Sequence, residues 1–365
     1  MNRNRALAAV RLEITDRIPH WESFSNPGFE QEITGIDPWR HPQAARRRLL
    51  ELLPLDVGNV PGMDEPIDRL PEDQLTGVDE TGGRVARWGT GYTWHWDWGK
   101  RFTTIEDVFA YDPLEDMDQR GKGTVAEHDY RLSVEELARE VQISIDEARE
   151  CTGDRALVTT GFYNTVFMWP LLTFGWELFL ELGAAYPEQT RRLLAQFAER
   201  SRKIFQAYAR TDIEVVTSHD DICYARGPVF SPVWLREMIY PYYEEFWGYL
   251  HQAGIKVIFI SDGNLDAIAD DIFACGADGI RSEPFTNWRA IAKKHPEKVL
   301  VGDGDNRIIS TADREAIFAM VEQMTDWGKR YPGYFYCVGN HLPWNLPAEG
   351  LRAYFEASER FGYRG

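Results

Sequence analysis

Along the second half of the chain one pattern of apolar and polar positions recurs. A short apolar run ends in a small group of polar residues, and an amphipathic stretch follows. The runs occupy residues 213–221, 255–264, 278–283, 299–306 and 334–341. Each is rich in β-branched and aromatic residues and too short for a helix. The runs therefore read as buried parallel strands, with the stretches between them as crossover helices. Their closing polar groups, at Asp221, Asp262, Glu283, Asp303 and Asn340, are spaced 20 to 41 residues apart. A βα unit in an eightfold barrel of about 250 residues takes about 30. In such barrels catalytic groups come from the ends of several strands, so these groups outline the rim of a site.

The first half fits the same architecture with additions. Residues 4–13 and 42–53 have helical periodicity, 17–22 and 55–60 read as strands, and 135–150 reads as a charged helix. A buried strand over 156–162 precedes helices over 166–182 and 187–208. The alternation at 91–98, after Gly82-Gly83, predicts an antiparallel hairpin inserted near 64–112. Its Trp94, Trp96 and Trp98 would either cover a flat cofactor or simply pack. Strands near 18, 56, 157, 214, 257, 279, 300 and 335 make eight, the number that closes a (β/α)8 TIM barrel. The expected fold is α/β: one such barrel over residues 1–365, with N-terminal additions and the inserted hairpin. A doubly wound sheet would need a Gly-rich turn after its first strand, and Pro19-His20-Trp21-Glu22 offers none.

Composition narrows the partners. The chain has 365 residues, is 44% hydrophobic, and sets 40 basic against 58 acidic residues for a net charge of −18. That balance argues against nucleic acid, whose binding depends on clustered Lys and Arg. No apolar run of ~18 residues suggests a membrane span, and the first residues lack a signal-peptide core, so a cytoplasmic protein is expected. The four cysteines, at 151, 223, 275 and 337, are too dispersed for a disulfide framework or a C-x-x-C clamp.

Each candidate residue has a functional and a structural reading. Of Asp220 and Asp221 only one can face the barrel mouth, because side chains alternate along a strand; Asp221 is assigned there, and a helix cap is the other use of an Asp at this point. His219 has a near-neutral intrinsic pKa suited to proton transfer. Asp262 precedes Gly263, where backbone can approach a ligand closely. Glu283 and Arg281 share a strand side and either serve the site or neutralise each other. Asp303 and Asp305 also share a side by period two, and two close carboxylates would push one pKa upward; an Asp-Gly turn is the alternative. Asp221, Asp262, Glu283 and Asp303 are thus the expected catalytic groups. Glu22, Asn59, Tyr163, His219, Arg281, Asp305, Asn340 and His341 are the expected binding groups. No tight ligand spacing assigns a metal.

The run from Gly254 through Ile260-Ser261-Asp262-Gly263-Asn264, followed by Gly276-Ala277-Asp278-Gly279 and Val301-Gly302-Asp303-Gly304-Asp305, resembles the uroporphyrinogen decarboxylase superfamily. So do Asp16-Arg17-Ile18-Pro19, Asp220-Asp221 with Gly227-Pro228 and Ser231-Pro232, and Gly339-Asn340-His341-Leu342-Pro343. The resemblance spans nearly the whole chain and implies a TIM barrel. It also implies one of two activities, tetrapyrrole decarboxylation or cobamide-dependent methyl transfer. The decarboxylases carry an Arg-rich opening that grips substrate carboxylates, whereas residues 19–38 here hold no Lys or Arg. The thiol-methylating branch holds zinc through a His-x-Cys pair and a later Cys, positions that fall here on Ile260, Asp262 and Asn340. Zinc of that kind is not expected, although His219, Glu283 and His341 are side chains that could ligate a metal. What the resemblance leaves is methyl transfer between a small methoxy or methylamine donor, or tetrahydrofolate, and a corrinoid (cobalamin) on a partner protein docked over the strand ends. A monomer or homodimer is expected. Two alternatives remain: a carboxy-lyase that holds its substrate with Arg281 or Arg307, and a binding protein without turnover.

Overall fold

The computed structural model describes residues 2–61, 66, 102–117 and 128–364, with the backbone of 85–88 and 91–94. Its centre is a parallel sheet of six strands. Their spatial order is Thr160–Phe162, Val215–His219, Lys256–Ile260, Gly279–Ser282, Val299–Asp303 and Tyr334–Cys337. Single-residue parallel bridges continue the ladder: Val57 pairs with Leu157, Trp21 with Val57, and His20 with Tyr336. These bridges run from Tyr336 through residues 20–21 and 57 to Leu157, just ahead of the strand Thr160–Phe162, and give the eight positions of the (β/α)8 barrel that the spacing predicts. The first two positions are reduced to bridges where strands over 17–22 and 55–60 were expected.

One apolar cluster fills the barrel interior. Trp21, Val57, Leu157, Val215, Ile258, Val299, Val301, Phe335 and Cys337 form one apolar cluster, joined by Ala6, Leu7, Ala9 and Val10 of the helix Asn2–Val10. This helix plugs the amino-terminal end of the barrel, so the opposite end is where polar groups gather. A larger apolar layer lies between strands and helices and includes Trp169, Phe197, Phe205, Trp247 and Trp288. Fully burying side chains of this kind contributes about 1.5–3 kcal/mol each.

Two helices follow the expected pattern closely. Pro187–Tyr208 has the predicted bounds, and Met168–Ala185 starts two residues later than expected, with Gly175 (φ +82°) breaking its regular geometry. The inserted hairpin is present as antiparallel strands Val85–Trp88 and Gly91–Trp94, whereas Trp96 and Trp98 lie outside the described residues. All four cysteines are free thiols, and no described helix is long and apolar enough to cross a membrane.

Candidate functional site at the strand carboxyl ends

Beyond the barrel the ladder continues in a short parallel pair, Ser23–Ser25 with His341–Pro343, which carries the first and last strand positions above the others. The polar groups beside it are joined in one network. His219 Nε2 lies 2.9 Å from Asp221 Oδ1, and the Tyr163 hydroxyl donates to Asp221 Oδ2 at 3.0 Å. The backbone N–H of Asp262 donates to Asp221 Oδ1 at 3.0 Å. Asn340 Nδ2 donates to Asp262 Oδ1 at 3.1 Å and to Glu283 Oε1 at 3.4 Å, and Gly263 N donates to Glu283 Oε2 at 2.8 Å. His341 Nδ1 is 2.9 Å from Asn340 Oδ1. Five strand ends therefore converge on one place.

Burial and charge set distinct protonation states there. Burial opposes the imidazolium of His219, but Asp221 beside it raises its pKa above the ordinary value. Burial likewise works to raise Asp221, and pairing with His219 holds it below the usual carboxylate value instead. Both shifts favour an imidazolium–carboxylate pair. Asp262 goes the other way: burial, then the negative charges of Asp221 and Glu283, push it up to about 7. Burial, together with the positive charges of Arg281 and His219, lowers His341 to about 4, so its ring is neutral at pH 7. The mouth thus holds a fixed ion pair, a neutral imidazole and a carboxyl poised between its forms near neutrality, the condition that suits an acid–base catalyst.

Arg281 does not neutralise Glu283 directly. Its guanidinium is buried and donates to Gly339 O at 3.3 Å, Asn340 O at 2.8 Å and Ser23 Oγ at 2.9 Å. It clamps the loop that carries Asn340 and His341 against the first strand position. Ser23 was not singled out by the sequence reading; its place two residues after Trp21, on the same strand side, is the signal that could have found it.

Asp220 takes the cap role. It is wholly buried and accepts the N–H groups of Val166, Phe167 and Met168 at 2.7–2.9 Å and the Tyr243 hydroxyl at 2.8 Å. Burial pushes its carboxyl up to about 6, with these donors working in the opposite direction. By tying down the start of the helix Met168–Ala185, it leaves Asp221 to face the mouth.

Four expected site residues lie elsewhere. Asp303 and Asp305 do not form a carboxylate pair. Asp303 sits at φ +81°, which breaks the strand alternation, and accepts from Trp327 Nε1 at 2.9 Å. Asp305 caps a short helical turn and pairs with Arg307 at 2.7 Å. Asp303 is raised to about 6, yet by burial and not by a second carboxylate. Glu22 is buried among the Tyr354 hydroxyl (2.6 Å), His20 (3.1 Å) and the Val338 N–H (3.2 Å). Asn59 ties the second strand position to the third through Thr159. No set of three His, Cys, Asp or Glu among the described residues is placed to hold a metal ion.

The turn carrying Asn340 depends on Gly339, which has φ +81° and lies so close to Ser282 that a Cβ would stand 2.0 Å from its carbonyl oxygen. Gly339→Ala adds left-handed strain to a clash with rigid backbone. An expected loss of about 2–4 kcal/mol, read by urea unfolding, follows from those two costs. A loss below about 0.5 kcal/mol would mean that the turn is not constrained in this way.

Residues 161–361, more than half of the chain, match the family model described as Uroporphyrinogen decarboxylase (URO-D). No curated protein matches the sequence significantly. Among solved structures, a methyltransferase from Methanosarcina mazei is similar with a TM-score of 0.64 at 16% identity, over 99% of this chain and 98% of that one. An endo-β-1,4-xylanase from Gloeophyllum trabeum aligns with a TM-score of 0.39 at 12% identity, over 59% of this chain and 80% of that one. The chain belongs to the uroporphyrinogen decarboxylase (URO-D) family.

Proposed function

We propose that the protein is a methyltransferase of this family. It would move a methyl group between a small methoxy or methylamine compound, or tetrahydrofolate, and a corrinoid carried by a partner protein. The observation that carries this reading is Asp262, a carboxyl raised to about 7 and held at the mouth by Asn340 through Oδ1. Its Oδ2 has no hydrogen bond among the described residues and is the atom that would carry a proton. Demethylation turns a methoxy or methylamino group into a poor leaving group, which needs a proton at the departing oxygen or nitrogen. Asp262 Oδ2 supplies it and is left as carboxylate, while the His219–Asp221 pair keeps its charge fixed beside it. Asn340 orients the acid, and Tyr163 holds Asp221 in place.

A reduced corrinoid supplies the nucleophile that accepts the methyl group. The chain's fit to such a group rests on the exposed rings of Tyr224 and Trp344, on loops at the strand carboxyl ends, where they can meet a flat macrocycle presented by a partner. Decarboxylation of a polycarboxylate fits the site less well. Arg281 is already spent on two carbonyls and Ser23, Arg307 pairs with Asp305, and residues 19–38 carry no Lys or Arg.

The test offers methoxyaromatics, methylamines and methyltetrahydrofolate anaerobically, with product masses read by mass spectrometry. One donor is expected to exchange its methyl group for hydrogen only when reduced corrinoid is present. Release of carbon dioxide from an acidic substrate without corrinoid would replace this reading with a lyase.

A further inference from the structure

Asp303, set apart from the mouth, lies on the barrel flank in a cavity of about 260 Å³ between the helices Trp288–Lys294 and Arg314–Gly328. Two features of this cavity bear on what it could hold. Asp303 holds a left-handed backbone conformation (φ +81°), which Asp and Asn adopt more readily than other residues with a side chain, and uses only Oδ2, on Trp327. Its Oδ1 has no hydrogen-bond partner among the described residues. The second feature is Arg289, an exposed side chain that lines the same cavity and makes no hydrogen bond or ion pair with protein among the described residues. Arg289 lowers the Asp303 pKa through space, yet the two do not pair. The half-buried Asp303 and the exposed Arg289 therefore line one cavity without pairing with each other, and Asp305, which also lines it, is already paired with Arg307. Met320, Met324 and the buried Trp288 give it apolar walls, and Gln323 adds an amide.

We propose that this cavity binds a small zwitterion of the α-amino-acid kind, with its ammonium on Asp303 and its carboxylate on Arg289. A simple cation would leave Arg289 unmatched and close to the bound positive charge. A simple anion would be set against Asp303. A molecule bearing both charges a few bonds apart matches both ends and makes charge-assisted hydrogen bonds at each. The site is distinct from the mouth, although Trp288 Nε1 donates to the carbonyl of Glu283 at 3.3 Å and links the two.

The test titrates the full chain with glycine and L-alanine, and separately with methylammonium and acetate, by calorimetry and thermal denaturation. Saturable binding of an amino acid, with a raised Tm and weaker or no binding of the single-charge probes, is expected. Asp303→Asn should weaken that binding about tenfold to hundredfold, the worth of one charge-assisted contact. Asn tolerates left-handed backbone and its amide oxygen can still accept from Trp327, so this variant should fold. Arg289→Gln, at an exposed position, should weaken binding similarly. No binding of either amino acid, equal binding of methylammonium alone, or unchanged binding in both variants would overturn the proposal. None of these outcomes bears on methyl transfer at the mouth.

Discussion

Replacing Asp262 by Asn is expected to lower methyl transfer by about 10²- to 10⁴-fold, the usual contribution of a positioned general acid. The substitution is close to isosteric, and the new amide oxygen can still accept from Asn340, so the loss should not reflect unfolding. The pH dependence distinguishes the role further. With its pKa near 7, Asp262 is protonated below neutrality and ionised above it. Wild-type transfer should therefore be level at lower pH and fall as pH rises through about 7, while the residual rate of Asp262→Asn should lack that limb. The same shift links protons to folding. A carboxyl whose folded pKa is raised contributes stability that is fully present below its unfolded value near 4 and is lost as pH rises through about 7. Asp262→Asn should accordingly gain stability relative to wild type as pH rises across that window. Steady-state rates over a pH series, with unfolding curves at the two ends, check both effects. An unchanged rate and profile would remove Asp262 from the chemistry.

The largest expected loss of stability lies one strand away, at Asp220. Asp220→Ala leaves the N–H groups of Val166, Phe167 and Met168 and the Tyr243 hydroxyl without their acceptor in a wholly buried place. A buried group left unsatisfied costs about 1–3 kcal/mol, and water entering the vacated space would recover part of it. A net loss of about 4–5 kcal/mol is expected, a size reserved for broken buried networks. Asp220→Asn keeps an acceptor oxygen and should cost much less. Urea denaturation of the two variants separates the cases. A loss under about 1 kcal/mol for Ala would mean that the helix start does not depend on this cap. Residual methyl transfer by folded Asp220→Ala should also fall, because Asp221 is positioned by the same segment.

The barrel was legible because its strands are buried on both faces, so their apolar runs stand out against the amphipathic helices between them. The same burial made Asp221, Asp262 and Glu283 visible as polar interruptions at run ends, and all three converge in one network. Asp303 and Asp305 misled for a backbone reason. Period-two reasoning holds only while residues stay extended, and Asp303 at φ +81° does not. Glu22 was not legible as a buried structural acid, since its partners Tyr354 and Val338 lie more than 300 residues away. Arg281 was ambiguous for a related reason. Its main partners are backbone carbonyls of Gly339 and Asn340, and no residue type announces a carbonyl. The helix Asn2–Val10 read as amphipathic, but its use as a plug for the barrel end depends on contacts with strands spread over the whole chain.

The most direct measurement mixes purified protein anaerobically with cob(I)alamin and each methylated donor in turn, following the cobalt spectrum in wild type and in Asp262→Asn. Protein-dependent consumption of cob(I)alamin with one donor, slowed by about 10²-fold or more in the variant, is the predicted result. No protein-dependent change with any methoxy, methylamine or methylfolate donor would contradict the assignment of this site to corrinoid-linked methyl transfer.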